Sequence, residues 1–436
     1  MLYLRGPEPL NDLEVLIQHG VDPHNVWAVE SDPQTAQHAV RALQASGLPI
    51  KFYPGALSEL FELCGGDFDM VYIDSCAPFG AGSPNTLGTL LHLFKHQRLS
   101  PLAALITTYA ELPTPIPTEY ASVMSAYFRV RYNAVPRALF EADLDPEWLQ
   151  HSDEELIAEI SRHHEPYYSD FVTRLTSDLA RSLIPMCRAL ALPGVIRSHM
   201  ERRESRDGIL ARAEHGRDAR PGTDMDEWIR TVGDFALNPS GYPLLSFLKM
   251  IETRSPNSAI WQQLRQVKLG SLSLLDSTRY GSLLDHVFEG HWHALGEELL
   301  QAIRIGWFDR DNHFSCDAAL PNLMVNSFLG IWGQPAFVNP RVSHRLKYKA
   351  KETTMYTDML VLDRCRSFFD WFPTMQVAPS RFRSPGFQVL ARCILDRIGW
   401  ADWNCDSHPF RGSAVAGMGD TQCAEPLRFG PRECIS

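Results

Sequence analysis

Two acidic side chains close short apolar runs, and their placement is the first chemistry this sequence offers. Glu30 ends the run from Asn25 through Val26, Trp27, Ala28 and Val29, and Ser31, Asp32 and Pro33 follow it. Asp74 ends the run from Asp69 through Met70, Val71, Tyr72 and Ile73, and is followed by Ser75 and Cys76. As parallel strands, these runs place both carboxylates at strand carboxyl ends, the edge where open α/β sheets bind ligands. A carboxylate ending the second strand can accept from both hydroxyls of a ribose, each charge-assisted bond contributing roughly 1.5–3 kcal/mol. Asp74 suits the orientation or deprotonation of a second reactant. Cys76 reads either as a nucleophile at a strand end or as a small buried thiol filling a turn.

Other groupings have weaker spacing. Cys405 and His408 form a Cys-x2-His pair and, with Cys423 and Cys434, supply four soft ligands for structural zinc; the alternative is unpaired thiols. His163-His164 and His291-x-His293 fit satisfied or exposed histidines, and no metal site is assigned to them. Lys347, Lys349 and Lys351 repeat at period two, either as protection of a sheet edge or as a phosphate-contacting row.

The elements that must position Glu30 and Asp74 alternate over the first 111 residues. Strands are expected at 2–4, 25–30, 50–53, 69–74 and 103–109, and helices at 11–19, 33–46, 57–63 and 86–98. Asn11 is the expected N-cap of the first helix, with Gly20 just past its end. Short apolar strands separated by helices predict an α/β fold with a doubly wound, mostly parallel sheet. After Pro113 the periodicity is helical, at 120–129, 153–163, 168–190, 225–235, 242–253, 258–268, 282–288 and 294–304. The stretch from Arg197 to Arg220 has seven arginines and five acids, a net charge of +2 (7 − 5), and reads as a solvated face or loop. A hairpin is expected from Arg345 to Lys351 and Met355 to Asp363, turning through Glu352, Thr353 and Thr354. The expected units are a core at 1–115, a large helical insertion at 116–335, a hairpin completing the sheet at 336–365 and a partly irregular extension at 366–436.

Composition limits the function classes. With 44% hydrophobic and 21% charged residues, the 436-residue chain is not mainly disordered. No run of about 18 uncharged apolar residues appears, so no membrane span is expected. The first residues lack a basic stretch followed by an apolar one, so no secretory signal is expected. The nine scattered cysteines fit reduced thiols and a cytoplasmic location. A net charge of −11 disfavours non-specific nucleic-acid coating, while leaving room for a local basic face.

Three segments together resemble the class I S-adenosylmethionine-dependent methyltransferases, whose fold is Rossmann-like. They are Val26 to Pro33 with Ala36 and Ala39; Phe52 to Leu57 with Glu59 and Leu60; and Phe68 to Asp74. They occur in the family's order, and the hairpin at 345–363 is placed like its last two antiparallel strands. The resemblance implies S-adenosylmethionine as cofactor. It implies a site in which Gly6, Pro7 and Glu8 face the methionine part, and Glu30, with Ser31 beside it, holds the ribose hydroxyls. Gly55, Ala56 and Leu57 would flank adenine, a backbone N–H reaching a ring nitrogen, and Asp74 would face the methionine amino group or the methyl acceptor. The first loop departs from the family's glycine-rich form: Arg5-Gly6-Pro7-Glu8-Pro9 has one glycine and two prolines. The expected activity is methyl transfer to an acceptor gripped with the help of the helical region, whose size points to a macromolecule or a protein partner. The alternative is a methyltransferase-like binding or assembly subunit without catalysis. A nicotinamide oxidoreductase would need G-x-G-x-x-G after the first strand, which is absent. The [D/N/S]-P-P-[Y/F/W] motif of base-methylating enzymes is also missing after Asp74, where Asp-Ser-Cys-Ala-Pro-Phe stands.

Overall fold

The computed structural model describes residues 1–4, 9–81, 85–134, 152–191, 243–269, 272–275, 336–339, 342–363, 429 and 432–435. They fall into two compact units. One comprises 1–114, 338–362 and 429–436; the other comprises 115–337 and 363–428.

The first unit begins with β1 (Leu2–Leu4), α1 (Pro9–Gln18), β2 (Trp27–Glu30), α2 (Pro33–Ser46), β3 (Lys51–Pro54) and α3 (Leu57–Leu63). It continues with β4 (Phe68–Pro78), α4 (Thr86–Lys95) and β5 (Leu99–Ala110). Local chemistry sets the helix limits. Asp32 caps α2 by accepting from the Thr35 N–H at 2.7 Å, Pro33 begins it, and Gly47 ends it in the left-handed region at φ 67°. Gly20, at φ 85°, closes α1: its N–H donates to Ile17 O, and the Val21 N–H to Leu16 O, the paired Schellman bonds. Helix α1 starts at Pro9, so Asn11 lies inside it and is not its cap. Helix α4 ends at Lys95, three residues short of expectation, where His96 caps it and Gln97 takes φ 54°.

The sheet is mixed and mostly parallel, in the order β11-β9-β10-β5-β4-β1-β2-β3, with β8 (Phe337–Val338) paired to β10. Strands β1 to β5 pair in parallel. Strands β9 (His344–Ala350) and β10 (Thr353–Asp363) form an antiparallel hairpin, and β11 (Glu433–Ile435) adds to β9 in parallel. The hairpin turn is Lys351-Glu352, with Lys351 at φ 58°, and not the expected Glu352-Thr353-Thr354. The Glu111 N–H donates to Thr354 O, while Thr108 reaches Thr357, so β10 runs opposite to β5.

Strand order reverses between β1 and β4, and right-handed crossovers then place α1 and α2 on one face and the helices after it on the other. Register confirms the first face. Tyr3, Ala28, Phe52 and Tyr72 are aligned partners, and Tyr3, Ala28, Leu13 of α1 and Leu43 of α2 form one buried cluster with Val26. Helix α4 packs on β4 and β5 through buried Leu87, Leu90, Leu91 and Phe94.

The second unit contains α5 (Thr118–Ala134), α6 (Asp153–Arg162), α7 (His164–Ala191), α8 (Pro243–Arg254), α9 (Ala259–Gln266) and a two-strand ribbon of β6 (Lys268–Leu269) and β7 (Leu272–Ser273). Lys268, expected to continue a helix, starts β6. Tyr127 is central: its ring meets Phe128, Phe171 and Phe247 edge-on, and its hydroxyl donates to Asp178 at 2.7 Å. Residues 167–180 of α7 alternate no exposed face. Asp170 pairs with Arg174 at 2.6 Å, and both are buried. The expected helices at 225–235, 282–288 and 294–304, and the arginine-rich stretch 197–220, lie outside the described residues. No described helix is long and apolar enough to cross a membrane.

Candidate functional site

The switch point between β1 and β4 puts the carboxyl ends of β1, β2, β3 and β4 along one edge of the sheet. Gly6, Pro7 and Glu8, which follow β1, lie outside the described residues. Glu30 ends β2, half-buried, and its Oε1 accepts from the Asp32 N–H at 2.8 Å. Its own carbonyl accepts from the Gly55 N–H at 2.9 Å, which ties the ends of β2 and β3 together. Glu30, Ser31 and Pro54 line a groove of about 490 Å³ that runs along α2 past Gln37 and Arg41. Gly55, Ala56, Leu57 and Asp74 are not among the residues lining it.

At the end of β3, Gly55 is crowded by two side-chain ends: a Cβ there would stand 2.6 Å from Tyr53 Cε1 and 2.9 Å from Glu59 Oε2, so both would have to shift. The same Glu59 oxygen accepts from the Ala56 N–H at 3.2 Å and from the Tyr53 hydroxyl at 3.5 Å. Ala56 caps α3, so of the two N–H groups, Ala56 and Leu57, that the expectation leaves for an adenine nitrogen, that of Ala56 is held by Glu59. Leu57 is buried at 4% exposure and packs in the core. Glu59 is the neighbour of this strand end to which spacing alone assigned no role. Its position three residues after the cap is the usual place for an acid that reaches back to a helix start.

Asp74 does not end its strand as expected: β4 runs on to Pro78, and Asp74 lies within it, in register with Thr108 of β5. Its side chain is exposed, and partial desolvation, then the charge of Asp12 on α1, raise its pKa above the ordinary carboxylate range. Tyr72, two residues earlier on the same face, is pushed up to about 12 by burial and by the Asp74 carboxylate. Hydroxyls continue this face across two more strands: Thr108 Oγ1 and Thr357 Oγ1 are 3.2 Å apart. Asp74 therefore ends a polar row suited to holding a hydrogen-bonding acceptor.

Cys76 is exposed and lies within β4, so it is not a buried thiol filling a turn. Cys405, His408, Cys423, His291 and His293 lie outside the described residues. Cys434 is free and exposed on β11, and no group of three or more metal-ligating side chains occurs among the described residues. His163 caps the end of α6 and its ring pairs with Glu159 at 2.8 Å. Strand β9 is not the sheet's edge, since β11 covers Leu346 to Tyr348, and Lys351 lies in the turn.

The chain matches no protein-family model and no curated protein.

Proposed function

We propose that this chain is an S-adenosylmethionine-dependent methyltransferase acting on a macromolecular acceptor, nucleic acid or protein, through its helical region. The observation that carries the reading is Glu30 at the carboxyl end of β2 in a sheet of order 3-2-1-4-5, extended by an antiparallel hairpin. The residues present fit the cofactor at Glu30. A carboxylate offers about four lone-pair sites, and the one bond from Asp32 leaves capacity for two ribose hydroxyls. At Ala56 the fit requires Glu59 to release the N–H. When bound, the cofactor supplies an electrophilic methyl group on a sulfonium. The protein's part is positioning: Glu30 orients the nucleoside, and Asp74 accepts a hydrogen bond or proton from the attacking nitrogen or oxygen. The raised pKa of Asp74 brings its carboxylate closer to the range useful for proton transfer.

One observation favours the second reading, a non-catalytic binding or assembly subunit. Two groups expected to serve the cofactor, the Glu30 carboxylate and the Ala56 N–H, already have partners within the chain. Isothermal titration of the full chain with S-adenosylmethionine and S-adenosylhomocysteine, alongside Glu30→Ala, separates the two. Saturable binding that the variant loses supports the enzyme. No binding up to millimolar ligand overturns it for this chain.

A further inference from the structure

On the far side of the sheet from Glu30, Phe429 and residues 432–435 rejoin the first unit by a contact with the form of a ligand in a receptor. Arg432 enters a pocket and is 8% exposed; its Nη1 lies 2.6 Å from Asp358 Oδ1, and Asp358 is 1% exposed. Nη1 also donates to Leu346 O at 3.1 Å, and Nη2 donates to the Tyr109 hydroxyl at 2.6 Å. The Tyr109 hydroxyl in turn donates to Asp358 Oδ2 at 3.3 Å. The guanidinium lies over the rings of Tyr356 and Tyr109, at 5.0 and 5.8 Å. Burial opposes its charge, and Asp358, Tyr109 and Tyr356 more than offset that, raising its pKa.

Beyond this anchor, Glu433, Cys434 and Ile435 pair with β9 while all three side chains are exposed. The described part of the segment is held by Phe429, stacked under Arg345 at 5.6 Å, by the Arg432 guanidinium, by a main-chain ladder and by an exposed ion pair between Glu433 and His344 at 3.7 Å. That division of labour, one side-chain pocket plus strand addition, is how sheets recognise extended peptides. The pocket also has its own support. Asp358 stands directly opposite Arg345 in the β10–β9 register, so its carboxylate keeps a cationic neighbour when Arg432 leaves.

We propose that the Asp358 pocket and the side of β9 that β11 covers form a receptor for an extended peptide with an arginine just before its strand residues. Arg432 to Ile435 are its resident ligand, bound in cis. The inference is independent of methyl transfer.

The test uses the full chain with a protease site inserted before Phe429, so that folding precedes cutting. A labelled peptide of residues 429–436 carrying Cys434→Ser is then offered to cut and uncut protein. The cut protein is expected to exchange its fragment for the peptide saturably, and the uncut protein to bind little, its site being filled. Breaking a buried ion pair predicts that an Arg432→Ala peptide binds roughly 100-fold more weakly or worse. Arg432→Lys is expected to weaken binding too, because an ammonium cannot fork between Asp358 and Tyr109. A cut fragment that never exchanges, an alanine peptide that binds equally well, or equal binding to uncut protein would each overturn the proposal.

Discussion

Glu59→Ala is the perturbation that tests where a nucleoside base would sit. In the free protein the Glu59 carboxylate accepts from the Ala56 N–H at 3.2 Å, and both groups are at the surface. A base nitrogen can take that N–H only after Glu59 lets go, so the internal bond competes with the ligand. A net hydrogen bond of this kind is worth about 0.5–1.5 kcal/mol. Removing the competitor should therefore tighten nucleoside binding by roughly 2- to 13-fold, since about 1.4 kcal/mol is one decade. The same change removes an acid from the first turn of α3, which costs about 0.3–1 kcal/mol of helix stability through the dipole, in addition to the lost bond. The assay is titration calorimetry with S-adenosylhomocysteine on both proteins, with urea denaturation run in parallel. Tighter binding combined with lower stability is the expected pair. Equal or weaker affinity in the variant refutes the placement of the base at Ala56, whatever happens to stability.

Two further outcomes follow from buried groups. Tyr127→Phe removes the donor to buried Asp178 and should cost roughly 1–3 kcal/mol in urea unfolding; a change under about 0.5 kcal/mol would mean that this bond does not hold the helical unit together. The raised pKa of Asp74 means that the folded state holds that proton more tightly than the unfolded chain. Its stabilising contribution is full below about pH 4 and is lost as pH rises through the raised value. Asp74→Asn should thus gain stability relative to the parent protein between pH 4 and 7, and a pH-independent difference in denaturation midpoint would contradict the raised pKa of that carboxylate.

The sheet and its helices were legible where local chemistry and periodicity agree. Helices α2 and α3 occupy the spans that apolar spacing indicates, because Pro33, Gly47 and buried Ala36, Ala39 and Leu43 all favour the same limits. Asn11 misled because Pro9, acceptable in a helix's first turn, starts α1 earlier than the nearest side-chain cap. Three features have no local signature. Arg432 meets Asp358 from 74 positions further along the sequence, so nothing in either neighbourhood announces the pair. Strand β11 is only three residues, all exposed, and lacks the alternation that marks a half-buried strand. Helix α7 buries Ser169, Asp170, Thr173, Arg174, Ser177 and Asp178 as well as its apolar residues, so polarity does not report which side faces inward. At the site, Glu30 could be placed from a strand end, whereas Asp74 lies within β4, which runs on to Pro78, and the capture of the Ala56 N–H by Glu59 depends on a rotamer.

Internal satisfaction of the strand-end groups is therefore a weak argument against catalysis. The Glu59–Ala56 bond is solvent-exposed, and releasing it costs on the order of 1 kcal/mol, against roughly 8 kcal/mol for a micromolar ligand. The bond from Asp32 to Glu30 does not compete at all, because it occupies one acceptor site of several. What separates enzyme from binding subunit is thus the donor supply after β1. Pro7 and Pro9 have no N–H to offer, and Gly6 is the one glycine there that lets a main chain approach closely. A methionine carboxylate would then depend on the N–H groups of Arg5, Gly6 and Glu8 and on the first turn of α1. Cofactor affinity should accordingly respond more to Gly6 than to any group that Glu59 or Asp32 already holds.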